Sequence, residues 1–304
     1  MEIVEPLVVL AFAGAYTWYR WRRAGDGVEE GLEELRQELP GAPLTPPVES
    51  WLSQQLLREA RYRSVGGLWG LFLGVLLNRA DAESPLWAAL LDFLPIAVWC
   101  VCGVVLGSLV ATVRSTPFRD GTVRTASPHR RTVREYVGTP MVAALWFAPL
   151  LVGGALALLV GRPAADGAQD GSGSALVGTA LAALVSVAAP LVCRTMVTRP
   201  LGSSSEEGIL WRRRLTERLT VDVALKVFLL AVFTAWVAAY WSLVTRGDGA
   251  AVVDGSRTGP VVLVLASTLA VGCVVVLARR ARLARRARVE RAAPSAMADA
   301  WSRP

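Results

Sequence analysis

The chain has 304 residues, 53% of them hydrophobic and 19% charged, with a mean hydropathy of +0.43. A soluble domain of this size does not carry so much apolar length, so the composition excludes an ordinary globular protein and indicates an integral membrane protein. The formal charge is +7, and Lys226 is the only lysine among the 32 Lys and Arg residues. Membrane proteins hold arginine on the cytoplasmic side, which accounts for the excess without invoking nucleic acid.

The pattern predicts an all-α, polytopic membrane protein with about seven transmembrane helices, N-terminus outside and C-terminus inside. The spans are expected at 3–19, 62–77, 87–113, 139–160, 175–193, 223–244 and 260–278. The first, within residues 1–19, has no basic residue ahead of it. It ends in Tyr16, Trp18 and Tyr19, followed by Arg20, Arg22 and Arg23. That order suits an uncleaved anchor better than a secretory signal.

Residues 20–61 form a cytoplasmic helical segment. Val28, Leu32, Leu35 and Leu39 recur at helical spacing among Glu29, Glu30, Glu33, Glu34 and Glu38. Pro40 stops that helix, 43–47 (PLTPP) is a stiff linker, and a second helix runs from about Glu49 into the second span. The acidic helix reads either as a solvated helix lying on its neighbours or as a docking helix for a partner.

The core, 62–278, begins with two apolar runs carrying Gly66, Gly70 and Gly74, then Gly103, Gly107 and Ala111, each spaced by four. On helices these are bare stripes that let two backbones meet in lipid, where hiding apolar surface gives no driving force. Weaker stripes follow at Gly153, Ala157 and Gly161, at Gly178, Ala182 and Ser186, at Ala231, Ala235 and Ala239, and at Ala266 and Ala270. The second span is short and could be re-entrant. Basic lead-ins precede spans two, four and six: LLREARY (56–62), TVREYVG (132–138) and RLTERLT (214–220). They suggest three similar helical hairpins added to the anchor helix.

Intramembrane charge is the best functional signal in such a chain. Asp92, three residues before Pro95, is the candidate ion or proton site; Lys226, near the inner end of its span, is expected to extend to the cytoplasmic surface. His129 has no nucleophile or orienting carboxylate pattern around it and reads as a loop residue. Cys100, Cys102, Cys193 and Cys273 have no metal-ligand spacing and read as small apolar residues. The basic loops 114–138 and 194–222, and the basic helix and tail 279–304, offer Arg130, Arg131, Arg134, Arg212, Arg213, Arg214, Arg280, Arg285 and Arg286 to anionic lipid or a partner protein. No catalytic, cofactor or metal motif is present in the sequence. The expectation is a non-catalytic scaffold or accessory subunit of a bacterial plasma membrane, with a protein partner on the cytoplasmic side. The alternatives are a transporter of a small or lipophilic solute using Asp92 and, third, a membrane enzyme acting on lipids.

Overall fold

The computed structural model describes residues 14–16, 18–19, 21–39, 43–77, 86–115, 132–160, 172–199 and 206–244, and Thr268. Asp26, Glu206 and residues 86–93, 172–174 and 243–244 are described for their backbone alone. Most of the expected first span, the last span 260–278 and the tail therefore lie outside the described residues.

The elements named here are all helical: α1 (Asp26–Glu38), α2 (Pro46–Leu77), α3 (Leu86–Val113), α4 (Val133–Val137), α5 (Thr139–Val160), α6 (Ser172–Thr198) and α7 (Glu206–Val244). Among the described residues four helices are long and apolar enough to cross a membrane: Leu94–Val113, Thr139–Val160, Ala175–Thr198 and Glu207–Ser242. The protein is a multi-pass helical membrane protein.

The sequence explains where these helices begin and end. Pro46 and Pro47 occupy the first turn of α2, where a missing backbone N–H costs nothing. The PLTPP stretch thus runs directly into helix instead of remaining a linker throughout. Gly138, with φ of +78°, is the only described residue with a positive φ. It separates the five-residue α4 from α5, so the lead-in at 132–138 is broken. The lead-ins at 56–62 and 214–220 instead run unbroken into their spans within α2 and α7.

The helices alternate in direction. Arg58 of α2 donates to the carbonyl of Arg114, just past α3, at 2.8 Å. Arg199, just past α6, donates to Val113 at 2.7 Å. Thr45 donates its amide to Glu207 of α7 at 2.7 Å. The starts of α2 and α7 and the ends of α3 and α6 therefore share one end of the bundle, hereafter the polar end. Two apolar cores result. The membrane core joins α3, α5, α6 and α7 around Cys102, Ala148, Val152, Ala182, Val227 and Ala231. A separate core at the polar end joins Leu32 and Leu35 of α1, Val48 and Leu52 of α2, and Trp211 and Leu215 of α7.

This second core exists because α7 is far longer than an apolar span needs to be and α2 runs beside its polar half. At 1.5 Å per residue, α7's 39 residues extend about 58 Å, roughly twice the hydrocarbon thickness. The polar half must cover its own apolar side chains, and α1 does so. Leu35 and Leu52 are almost fully buried there. Trp211 is too, and its indole N–H donates to the Pro43 carbonyl at 2.8 Å.

Candidate functional site

The stripes on α2 and α3 lie face to face. A Cβ added to Gly66 would stand 2.1 Å from the Gly103 carbonyl oxygen, and one on Gly103 would stand 2.0 Å from that of Gly66. Gly70 meets the Trp99 carbonyl oxygen at 2.2 Å and Gly107 that of Tyr62 at 2.2 Å. Gly74 faces the Cα of Ile96 at 3.1 Å, and Ala111 is buried. Only hydrogen fits at four of these positions, because the obstacle is opposing backbone, which cannot rotate aside.

The weaker stripes divide. Ala231, Ala235 and Ala239 are fully buried, as are Ala182 and Ser186; Gly178 leaves room for the edge of the Trp99 indole. Gly153 is a correction: it is exposed, with nothing within 4 Å of an added Cβ, and Ala157 is exposed beside it. Helix α5 buries Ala144, Ala148 and Ala155 instead. In an alanine-rich helix several faces satisfy a four-residue spacing, and the aliphatic neighbours Leu151, Val152 and Leu159 decide which one turns inward.

At the junction of the two cores lies a group of ionisable side chains. The Lys226 ammonium sits 3.7 Å from a Glu59 carboxylate oxygen, donates to the Ser108 hydroxyl at 3.2 Å, and pairs with Asp222 one helical turn earlier. Lys226 thus turns into the protein, to acceptors on α2, α3 and its own helix, rather than reaching out to the membrane surface. A compact ammonium on a flexible stem can serve acceptors in three directions; a planar guanidinium is built for paired acceptors in one plane. The chain's single lysine stands where that difference matters.

Glu59 lies on α2 two turns before Gly66. Burial raises its pKa above the ordinary carboxylate value, and Asp222 raises it further; Lys226 and Arg63 oppose both. Glu59, Arg63 and Asp222 line a cleft of about 910 Å³ between α1, α2 and α7. Its rim is tied by Arg214, bonded to Glu38 at 2.7 Å and Glu217 at 2.9 Å, and by Arg218, bonded to Glu34. The arrangement can share a proton between two carboxylates and pin three helices together. Among the described residues no three His, Cys, Asp or Glu side chains gather as a metal-binding group.

The other candidate residues are dispersed. Asp92 falls within α3, and its side chain lies outside the described residues. His129, Arg130, Arg131, Arg280, Arg285, Arg286 and Cys273 also lie outside them. Arg134 is exposed on α4, and Arg213 is exposed on α7. Arg212 is buried in the polar core, and Arg214 is held by the acidic helix. Sequence reasoning did not bring Glu59, Ser108 and Asp222 to Lys226. The i,i+4 spacing of Asp222 and Lys226 was the available signal; Glu59 and Ser108 come from distant segments. No protein-family model, curated protein or solved structure matches the chain.

Proposed function

We propose that this protein is a non-catalytic membrane component, a scaffold or accessory subunit, whose working surface is the helical module at the polar end. The carrying observation is the second apolar core. Helices α2 and α7 run on as rigid arms, and α1 is clamped across them by Leu32, Leu35, Leu52 and Trp211. Building such a module is costly unless it presents something. What it presents is the outer face of α1, with Glu29, Glu30 and Glu33 exposed. A partner with a basic surface fits that face.

The arginine bias argues for the polar end facing the cytoplasm, since Arg58, Arg61, Arg63, Arg199, Arg213 and Arg218 all gather there. A seven-span layout with the N-terminus outside is compatible with this. The membrane core supports a non-transport reading. The buried hydroxyls of Thr112, Ser186, Thr234 and Ser242 each donate to a carbonyl of their own helix rather than lining a path.

Solute transport is the second reading, and one observation favours it. Ionisable groups withdrawn from water at the edge of a bilayer mark ion and proton pathways, and Glu59 and Asp222, both beside Lys226, line an open cleft. One experiment separates the readings. Photo-crosslinking residues placed at positions 30, 33 and 37 should capture one discrete protein species in native membranes. Capture should be lost when Leu35→Asp unseats α1. Absence of any adduct, with solute or proton flux following the purified protein into liposomes, would reverse the order of the two.

A further inference from the structure

The polar end carries a second, smaller pocket of about 280 Å³, away from the cleft and lined by Trp21, Gln54, Leu57, Arg58, Arg61 and Tyr62. Those six residues include two guanidiniums and no carboxylate. The Arg61 guanidinium lies against the Trp21 ring, 4.9 Å from its centroid. Arg114 donates to the Tyr62 hydroxyl at 2.8 Å and lies 5.7 Å from that ring. Arg58 donates to the Arg114 carbonyl at 2.8 Å. Three arginines are thus held side by side by aromatic rings and backbone.

The Arg61 Nε–H is buried and has no hydrogen-bond partner among the described residues. A buried charged donor left unmade costs more than a typical hydrogen bond contributes, so it calls for an acceptor beyond the described residues. Depth identifies that acceptor. Arg114 is the first residue beyond the apolar span Leu94–Val113, and its side chain holds Tyr62 of α2 at that level. The pocket therefore sits at the level of lipid headgroups. Below it, Trp69, Leu73 and Leu76 are exposed along α2, seven, eleven and fourteen residues past Tyr62, on one face of the helix. The volume is just under that of a drug-sized site, enough for a headgroup with its acyl chains left outside.

We propose that this pocket binds the phosphate of one anionic phospholipid, with Arg61 as its principal donor, Arg58 and Arg114 supplying field, Trp21 as its wall, and the acyl chains lying along the exposed face of α2. Guanidiniums suit phosphate because their donors are planar and paired, and an aromatic wall holds them without neutralising them. The site does not depend on the scaffold reading; it would serve a transporter equally.

The test uses the full chain in detergent, partly delipidated, with native mass spectrometry counting retained phosphatidylglycerol against phosphatidylcholine. Wild-type protein should retain one phosphatidylglycerol selectively, and Arg61→Gln should weaken that retention by about tenfold. Arg58→Gln should weaken it less, and Arg213→Gln, exposed on α7, should leave it unchanged. Millimolar inorganic phosphate should not displace the lipid. Equal retention of phosphatidylcholine, unchanged retention in Arg61→Gln, equal loss in Arg213→Gln or full displacement by phosphate would each overturn the proposal. Should Arg61→Gln fail to fold, Arg61→Lys serves: charge is kept but the planar fork is lost, and retention must still fall.

Discussion

The two halves of helix α2 are held by opposite means. From residue 62 onward it meets α3 through glycine, backbone against backbone, with carbonyl oxygens about 2 Å from where a Cβ would be. Before residue 62 it meets α1 and α7 through large side chains: Val48 and Leu52 are buried against Leu35, Trp211 and Leu215. In water, removing apolar area from solvent drives association at roughly 25 cal/mol per Å². In lipid that term vanishes, and close van der Waals approach must replace it. One helix therefore uses small residues where it lies against an apolar span and large ones at the polar end.

The sharpest way to break this contrast is Gly103→Leu. The new side chain would collide with the Gly66 carbonyl, and α2 and α3 would part. A cost of at least about 3 kcal/mol is expected, at the upper end for overpacking. It should be read as loss of monodisperse protein on gel filtration after extraction from the membrane. The same exchange at Gly153, which faces open space, should leave that fraction intact.

Leu52→Ala tests the other half. Truncating a fully buried leucine costs about 2–4 kcal/mol. The effect should stay local: limited proteolysis should accelerate within 20–45, while the membrane helices remain protected. Equal exposure of both regions would show that the two cores melt as one.

Lys226→Met probes the join between the halves. It leaves Glu59 and Asp222 facing each other without their cation, at a cost of about 2–3 kcal/mol, below the fully buried figure because Asp222 is about one-third exposed. Adding Glu59→Gln should recover part of that loss. The same residue sets a pH dependence. The folded carboxyl of Glu59 holds its proton to higher pH than the unfolded one. Its contribution is therefore present at low pH and is lost as pH rises from the ordinary carboxylate value through the raised one. Thermal melts should show stability falling across that window, and Glu59→Gln should flatten the slope. The smallest effect is expected from Arg36→Gln, which removes an exposed pair with Glu49 worth about 0–1 kcal/mol.

Much of the membrane half was legible in sequence because its rule is local: a glycine every fourth residue defines a stripe whatever lies opposite. The expected boundaries 87–113 and 139–160 closely match α3 and α5 for the same reason, since hydropathy is a property of the run itself. The rule failed at Gly153, where too many small residues satisfied it. The polar half was half legible. Val28, Leu32, Leu35 and Leu39 announced an amphipathic helix, but nothing local said that Trp211 would fill the space beneath it. Glu59 meeting Lys226 across 167 positions, and Arg61 stacking on Trp21, are products of tertiary placement. A charge beside a span looks like an ordinary interfacial residue until a second helix brings its counterpart.

The unbroken course of α7 has a mechanical corollary. It contains no proline between Glu206 and Val244, so it has no built-in hinge where bilayer gives way to water. A rod of that length pivoting 10° about the membrane midplane swings its polar tip, about 43 Å away, sideways by about 7 Å. A change in bilayer thickness or lateral pressure that leans this rod would therefore be delivered, as displacement, to whatever grips its far end.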